Sequence, residues 1–600
     1  MTKQMYTLGL SYGYHDSAAC FLGVDGQIAF AAQEERFTRK KNDFAFPVNA
    51  IHAGLKYLEI STDQIAKVGF YEQNIKKIAR ICLLNPDNCH ELISKRLSSD
   101  PCFLNPEQEI SNIFENIQYA NCYPHHLSHA ASSIFLDDSD HGLAIVIDGV
   151  GEFDSTSIWT YENGLINRVG GTQIPDSIGL LYAAITSFLD FRVNDGEYKV
   201  MGLSAYGKPE YAEKIWNLIT IKDDIEYPFV IDQLHLDLTG NSCLLYRDSL
   251  QDYLGINELR LNNKKTYDDL TSGEFEKYAN LAASIQIVAE KMVRHVFSLS
   301  IKAYPSKKAL YYSGGVALNC AINKSLMRDF GEINIQPSCG DAGGAVGAAF
   351  LAHYEFNASN TSCSSFHSSE FNNHKIVKPA QKQIAYLGAS VTQESANKAI
   401  ESKCLKNYKC YKTTEQMVSD AAKVICSGNI IGWVQGRMEW GPRSLGARSI
   451  LASPVGSETQ AKINQAIKFR ELFRPFAPVM LKSFYKDFVH SNEIQEPAVA
   501  HAYMLSVVES SQKAQKHFPA CIHVNKTARI QIVDDNSDLE IALLLKGIKL
   551  LGHDPILLNT SFNLKGEPIV SSAEEAFGTF WYSGLDYLYL SNYRIGRDSF

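Results

Sequence analysis

The chain has 600 residues, 45% of them hydrophobic and 20% charged, and carries a formal net charge of -9. That length exceeds what one core can hold, so two large domains or three to four smaller lobes are expected. The acidic balance excludes bulk electrostatic capture of nucleic acid, and no apolar run is long enough to span a bilayer.

Apolar runs at residues 6–10 and 18–24 predict two strands, and between them "YGYHDSAAC" places His15 and Asp16 at the turn. A third strand follows at 28–32 after an Asp25-Gly26 hairpin signal. The pattern returns later. A strand at 143–147 leads to a polar turn with Asp148 and Gly149, then to a strand at 156–161, an Asn163-Gly164 turn and a third strand. Two such copies predict a duplicated fold. Residues 278–299 carry helical apolar spacing with few breakers. A strand at 309–312 precedes "SGGVALNC", and another at 333–336 precedes "PSCGDAGGAVGAAF", each read as a glycine-rich turn between strand and helix. This alternation predicts an α/β architecture. Residues 356–383 read as a linker, rich in Ser and Asn up to 373, between a first domain at 1–355 and a second α/β domain at 384–600.

"YPHHLSHAASSIF" holds three histidines in five residues. His125 and His129 share one helix face and can chelate one cation, with His126 as the alternative partner at the other helical spacing. Asp148 and Asp341 each follow an apolar strand beside a glycine and are placed to complete the site. Such mixed ligation suits iron(II), zinc or manganese alike. Thirteen scattered cysteines without a C-x-x-C pair, and a start without a signal-peptide pattern, predict reduced thiols in the cytoplasm, with neither disulfides nor structural zinc.

The two glycine-rich turns match neither the P-loop nor the dinucleotide fingerprint. Together with the repeated acidic hairpins they resemble the actin-like ATPase superfamily, in which two lobes hold ATP. "NDGEYKVMGLSAYG" adds Glu197 and Lys199, which either touch phosphate or form a surface pair. The second domain carries Arg437, Arg443, Arg448, Lys468, Arg470, Arg474 and Arg529 in apolar surroundings. They outnumber the nearby acids Glu439 and Glu471, which predicts a small phosphorylated ligand. "LNTSFNLKGEP" adds Asn559, Ser561 and Asn563, expected on one strand face and suited to a carboxamide.

With these pieces in place the chain resembles the O-carbamoyltransferases typified by the tobramycin, cephamycin, novobiocin and nodulation-factor enzymes. The likeness covers nearly the whole chain. It is carried by "YHDSAA", "QEERFTRKKND", "HHLSHAAS", "DGEYKVMGLSAYG", "SGGVALNC", "GDAGGAVGAA", "EWGPRSLGARS", "FRPFAP" and "NTSFN", in that order.

The resemblance implies a first domain similar to the metal-dependent, actin-like transferase of tRNA threonylcarbamoyladenosine synthesis, and a second with a YrdC-like fold. It implies that carbamoyl phosphate and ATP, with Mg, give carbamoyl-adenylate, and that the carbamoyl group then moves to a hydroxyl of a small metabolite. His125, His129, Asp148 and Asp341 would hold the metal, usually iron(II). Ser313, Gly314, Gly315 and Asn319 in one turn, and Gly340 and Asp341 in the other, would meet the nucleotide. Arg443, Arg448, Lys468, Arg474 and Arg529 would bind carbamoyl phosphate. His15 would be base or orienter for the acceptor hydroxyl, with Asp16 fixing its ring. One departure is Asn525 and Lys526, where family members often have Asp-Gly at a turn. A tRNA-modifying transferase and a nucleotide-binding protein without chemistry are the competing readings. Antibiotic sugars, polyketides and guanidinium alkaloids such as the saxitoxins are the acceptor classes that similar enzymes use. The acidic segments 137–140 and 190–197 would suit a cationic acceptor. No nucleic-acid or membrane partner is expected, and the protein is expected to be a monomer or homodimer.

Overall fold

The computed structural model describes residues 4–84, 86, 89–99, 106–114, 117, 119–162, 164–239, 244–261, 266–358, 379–456, 458–464, 476–493 and 496–597. The chain forms two compact units. The first comprises Met1–Glu34 and Asn42–Ile384, the second Glu35–Lys41 and Ala385–Phe600. Most of the expected linker, residues 359–378, lies outside the described residues. Its last residues belong to the first unit, where Gln381 donates to Gly26 O at 3.0 Å and accepts from Ile28 N at 2.9 Å.

In the first unit β1 (Tyr6–Ser11), β2 (Ala18–Leu22), β3 (Ile28–Gln33), β4 (Ile65–Phe70) and β5 (Tyr119–Cys122) form a sheet of order β3-β2-β1-β4-β5. β1 runs antiparallel to β2 and parallel to β4. The second sheet repeats this plan. β6 (His141–Ile147), β7 (Asp154–Glu162) and β8 (Leu165–Gln173) form the meander. After a small ribbon of β9 (Ile219–Ile221) and β10 (Phe229–Ile231), β11 (Ala309–Ser313) pairs parallel with β6. The order is therefore β8-β7-β6-β11, the first four positions of the other sheet. The strand expected at 333–336 occupies the fifth position only as a single bridge, Asn334 to Tyr311. Pro337 and Ser338 turn the chain immediately afterwards, and proline has no N–H to extend a ladder. β6 is buried from Gly142 onward, as a near-continuous apolar strand between two layers must be.

Helix His125–Ile134 is buried along its whole length and packs on helix Asp341–Ala358. The expected glycine-rich turn after residue 340 is instead the start of this second helix. A Cβ on Gly347 would lie 1.7 Å from Ser128 O, so the glycines allow two helix backbones to touch and do not bend the chain. Helix Ser272–Ala303 extends the expected 278–299 segment at both ends and starts with a Thr271–Glu274 capping box. Among the described residues no helix is long and apolar enough to cross a membrane.

The second unit is also mixed α/β. Its strands are β12 (Tyr386–Ser390), β13 (Lys409–Cys410), β14 (Ile431–Val434), β15 (Arg437–Glu439), β16 (Arg448–Ala452) and β17 (Ala477–Leu481). β18 (Val507–Glu509), β19 (Thr527–Arg529), β20 (Gln531–Val533), β21 (Ile556–Ser561), β22 (Tyr587–Leu590) and β23 (Tyr593–Gly596) follow. Eight of them build a sheet of order β13-β23-β22-β14-β16-β21-β17-β20. Alternation along β14 sends Ile431 and Trp433 into one core with helices Thr414–Cys426 and Glu540–Leu550. Val434 enters the opposite core with helices Gln393–Ser402 and Ala573–Tyr582. The turn at Asn525 and Lys526 forms without glycine. Lys526 adopts φ +64° and Asn525 accepts from Thr527 N at 3.2 Å.

Candidate active site

His125 and His129 project from the same helix face, one turn apart, and their Nε2 atoms lie 3.0 Å from each other. Asp148, immediately after β6, brings Oδ2 to 3.1 Å from His125 Nε2 and 3.5 Å from His129 Nε2. Asp341, the first residue of its helix, brings Oδ1 to 3.7 and 3.5 Å from the same two atoms. All four residues are buried, and their ligand atoms fall within 4.8 Å of one another. His126, the alternative partner, points away: its Nδ1 meets Ser157 Oγ at 2.8 Å.

The donor chemistry fits a divalent cation. Ligand atoms each about 2.1 Å from one cation, at right or tetrahedral angles, lie about 3.0–3.4 Å apart. Two imidazoles and two carboxylates buried together are costly unless they are paired or hold a metal. Their pKa values show the mutual pull. Burial alone lowers the histidines, yet Asp148 and Asp341 bring His129 up to about 9 and raise His125. Burial alone raises Asp148, but hydrogen bonds to His125 and His129 hold it well below the usual carboxylate range. His126 is pushed well below its ordinary value by burial and by His125, with Asp148 opposing them only in part.

Tertiary neighbours fix this cluster. Glu152 accepts from the His125 N–H at 3.0 Å and from Gln73 N at 2.8 Å, so it caps the helix N-terminus from another loop. The Tyr71 ring packs 5.0 Å from the His125 ring. Arg80 donates to Gly151 O, and Lys77 pairs with Glu72 at 2.7 Å. These residues were not singled out in the sequence. Glu152 has a detectable signal, a second acid four positions after Asp148, whereas Tyr71, Glu72, Lys77 and Arg80 have none short of the fold.

His15 stands beside the cluster. Its Nδ1 is 3.0 Å from Asp16 Oδ2 and its Nε2 3.6 Å from Asp341 Oδ2. Burial pulls its pKa down, but Asp341 and Asp16 together hold it well above the ordinary value. Asp16 takes φ +54°, the left-handed conformation that short polar side chains tolerate.

The turns expected to meet a nucleotide make several hydrogen bonds within the protein. Ser313 Oγ donates to His129 O at 2.8 Å, Gly314 N to Cys339 O at 2.8 Å and Gly315 N to Asp148 Oδ1 at 2.9 Å. The turn at 313–315 therefore locks Asp148 and His129 in place, and its hydrogen bonds are already made inside the protein. Gly340 accepts from Gly343 N at 2.8 Å within the first turn of the helix. Asn319 caps helix Cys320–Phe330 and bonds Gln286, so its amide is a structural group. Glu197 accepts from Asn194 N and Gly196 N at 3.0 and 3.1 Å, closing its own loop, and Lys199 lies over the Phe191 ring. The acidic segments are likewise engaged. Asp137 accepts from Tyr311 OH at 2.8 Å and Asp190 from Leu261 N at 2.8 Å.

In the second unit, Lys468, Arg470 and Arg474 lie outside the described residues. Arg448 is fully buried and donates to four backbone carbonyls, Gln435, Gly436, Ala447 and Ala389. Burial lowers its pKa to about 10. Its described hydrogen bonds are made by the two Nη atoms and all go to the protein. Arg443 is half-buried, and among the described residues its Nε, like that of Arg448, is buried without a hydrogen-bond partner. Glu439 acts on Arg448 by its charge, which opposes the lowering by burial. Its Oε1 accepts from Leu445, Ala447 and Arg448 N–H at 2.8, 2.8 and 2.9 Å, folding the loop that bears Arg443. Arg529 ends β19 beside His523, whose pKa burial and Arg529 together push down to about 3. Asn559 is buried and bonds Ser444 O and Gln531. β21 ends at Ser561, so Asn563 lies in the following loop and not on the expected strand face. There it accepts from Ser561 Oγ at 2.7 Å and donates to Glu567 O.

The chain thus combines a duplicated strand plan that carries a buried His/Asp cluster with a mixed α/β unit. The chain matches the carbamoyltransferase N-terminus family over residues 6–350 and the carbamoyltransferase C-terminus family over 422–597. An uncharacterized protein of Synechocystis sp. is 32% identical over 99% of this chain and 97% of its own length. Nodulation protein NolNO of Sinorhizobium fredii is 30% identical over 97% of this chain and 79% of its own, and nodulation protein NolO of Bradyrhizobium diazoefficiens 31% over 79% and 78%. The chain belongs to the carbamoyltransferase family and is a transferase enzyme.

Proposed function

We propose that the protein is an ATP-dependent O-carbamoyltransferase acting on a hydroxyl of a small metabolite. The observation that carries this reading is the convergence of His125, His129, Asp148 and Asp341 beside His15, in a chain of this family. Water cleaves carbamoyl phosphate to carbamate and phosphate, and a carbamate oxygen then bonds to the α-phosphorus of ATP, giving carbamoyl-adenylate as pyrophosphate leaves. The acceptor hydroxyl oxygen then bonds to the carbamoyl carbon and AMP leaves. The second unit holds carbamoyl phosphate, with Arg443 as the described cation that faces it and Arg529 as a further contact. The nucleotide binds the first unit, and Asp148, Asp341 and the two histidines hold iron(II) or a similar divalent cation there. When bound, that cation serves as a Lewis acid toward phosphoryl or carbonyl oxygen. Asp16 holds His15 through Nδ1, which leaves Nε2 as the atom that orients the acceptor hydroxyl and, in the neutral ring, takes its proton.

The test supplies ATP, carbamoyl phosphate, iron(II) and a panel of hydroxylated metabolites. Pyrophosphate release that depends on carbamoyl phosphate is expected, with one acceptor gaining a carbamoyl group by mass spectrometry. Metal-loaded protein that releases no pyrophosphate overturns the reading.

A further inference from the structure

The motif "QEERFTRKKND" lies early in the chain, yet its residues Glu35–Lys41 pack as part of the second unit. Arg36 is 1% exposed there and donates through Nη2 to Gly441 O at 2.7 Å. Gly441 sits at φ +101°, a conformation that L side chains rarely adopt. Glu439 holds the far end of the same loop through three backbone N–H groups. Arg443 lies between these two anchors. Arg39 makes a parallel arrangement on another loop. Its Nη1 and Nη2 donate to Ile569 O and Pro568 O at 2.7 and 2.8 Å, and its charge faces Glu567 and Glu575 at 3.6 and 3.3 Å. Glu567 O in turn accepts from Asn563, which accepts from Ser561.

We infer that Arg36 and Arg39 are positioning residues for the anion site of the second unit, holding in shape the loop that presents Arg443 and the loop that presents Ser561 and Asn563. The inference rests on the reading that this unit binds carbamoyl phosphate. The hydrogen bonds described for both guanidinium groups go to protein carbonyls, so each acts through the loop it holds and not by touching substrate. A guanidinium suits this task because it is always charged and its planar fork meets two successive carbonyls at once. A lysine makes one such bond at a time. The placement explains why a run of charges stands so early in the chain: its partners are some 400 and 530 residues downstream.

The test uses the full chain and the half-exposed Arg39, whose truncation leaves no large buried void. Initial rates of pyrophosphate release are measured with carbamoyl phosphate varied at saturating ATP, then with ATP varied. Arg39→Ala is expected to raise KM for carbamoyl phosphate about tenfold, the equivalent of one or two hydrogen bonds to the loop. kcat and the KM for ATP are expected to stay within about twofold, and Arg39→Lys to recover part of the loss. Calorimetric binding of inorganic phosphate is expected to weaken in parallel. An unchanged KM for carbamoyl phosphate overturns the inference, as does a joint change in both KM values and kcat. If the unaltered protein releases no pyrophosphate, the functional reading fails, and phosphate binding decides the positioning role alone: equal affinity in Arg39→Ala and the unaltered chain overturns it.

Discussion

His125 and His129 meet because a helix returns its fourth residue to the same face, while the acids that join them arrive from two other segments. Each of the four side chains is buried, so removing one leaves the others partly unpaired. Asp148→Asn keeps the shape and one oxygen but removes the charge. It is expected to bring bound divalent cation, measured by elemental analysis, from about one per chain to near none, while circular dichroism stays unchanged. His15 and Arg443 belong to different steps in the proposed chemistry. His15→Asn is expected to keep carbamoyl-dependent pyrophosphate release and to lower product formation about 100-fold or more, the scale of a lost general base. Arg443→Ala is expected to lose pyrophosphate release itself. Failure of both variants at one step overturns this division. Arg448 is not a suitable probe of ligand binding, because its described bonds hold the backbone around Gln435 and Gly436.

At the scale of elements, the cluster depends on how closely two helices approach. Helix His125–Ile134 carries two ligands and helix Asp341–Ala358 carries a third at its first residue. Their contact at Gly347 leaves no room for a methyl group, since the nearest atom is the backbone carbonyl of Ser128. Gly347→Ala therefore forces the helices apart. It is expected to destabilise the first unit by ~3 kcal/mol, read as a lower denaturation midpoint, and to weaken metal binding although it touches no ligand. The glycine run was read as a turn because glycine signals flexibility in sequence. Here it serves packing, and only the neighbouring helix reveals that. The turn at Asn525 and Lys526 teaches the converse: a missing glycine did not abolish the turn, because tertiary contacts hold Lys526 at a positive φ.

At the scale of the molecule, each unit buries a neutral histidine away from the proposed chemistry. His353 in the first unit is lowered to about 4 by burial and by Lys67, and His501 in the second to about 4 by burial. Asp25 pulls His353 the other way, and Thr7 bonds its Nδ1 at 3.2 Å. Both folded pKa values lie below the unfolded value of about 6.5, so the unfolded chain binds protons first on acidification. The stability they contribute is complete above that pH and is lost as pH falls toward 4. Each loses ~2 kcal/mol by pH 5. Thermal unfolding followed from pH 7.5 to 5 is expected to show a falling midpoint in both units. His501→Gln is expected to make the curve of the second unit shallower, with His523 keeping part of the slope, and to leave the first unit unchanged; an unaltered slope in the second unit refutes the assignment.

Local pattern was enough for what depends on neighbours in sequence. The repeated hairpins, the long helix, the helical spacing of His125 and His129 and the post-strand position of Asp148 all follow from periodicities of two and 3.6 residues, which the chain carries in its own order. Tertiary structure decided what depends on distance. It chose His125 over His126 as the partner of His129. It committed the donors of 313–315 to holding Asp148, and buried Arg448 among carbonyls. It also assigned residues 35–41 to a unit whose other members lie hundreds of positions away. The physical reason is that a side chain's role follows from which group satisfies its hydrogen bonds and charge, and in a folded chain of this length that group is often remote in sequence.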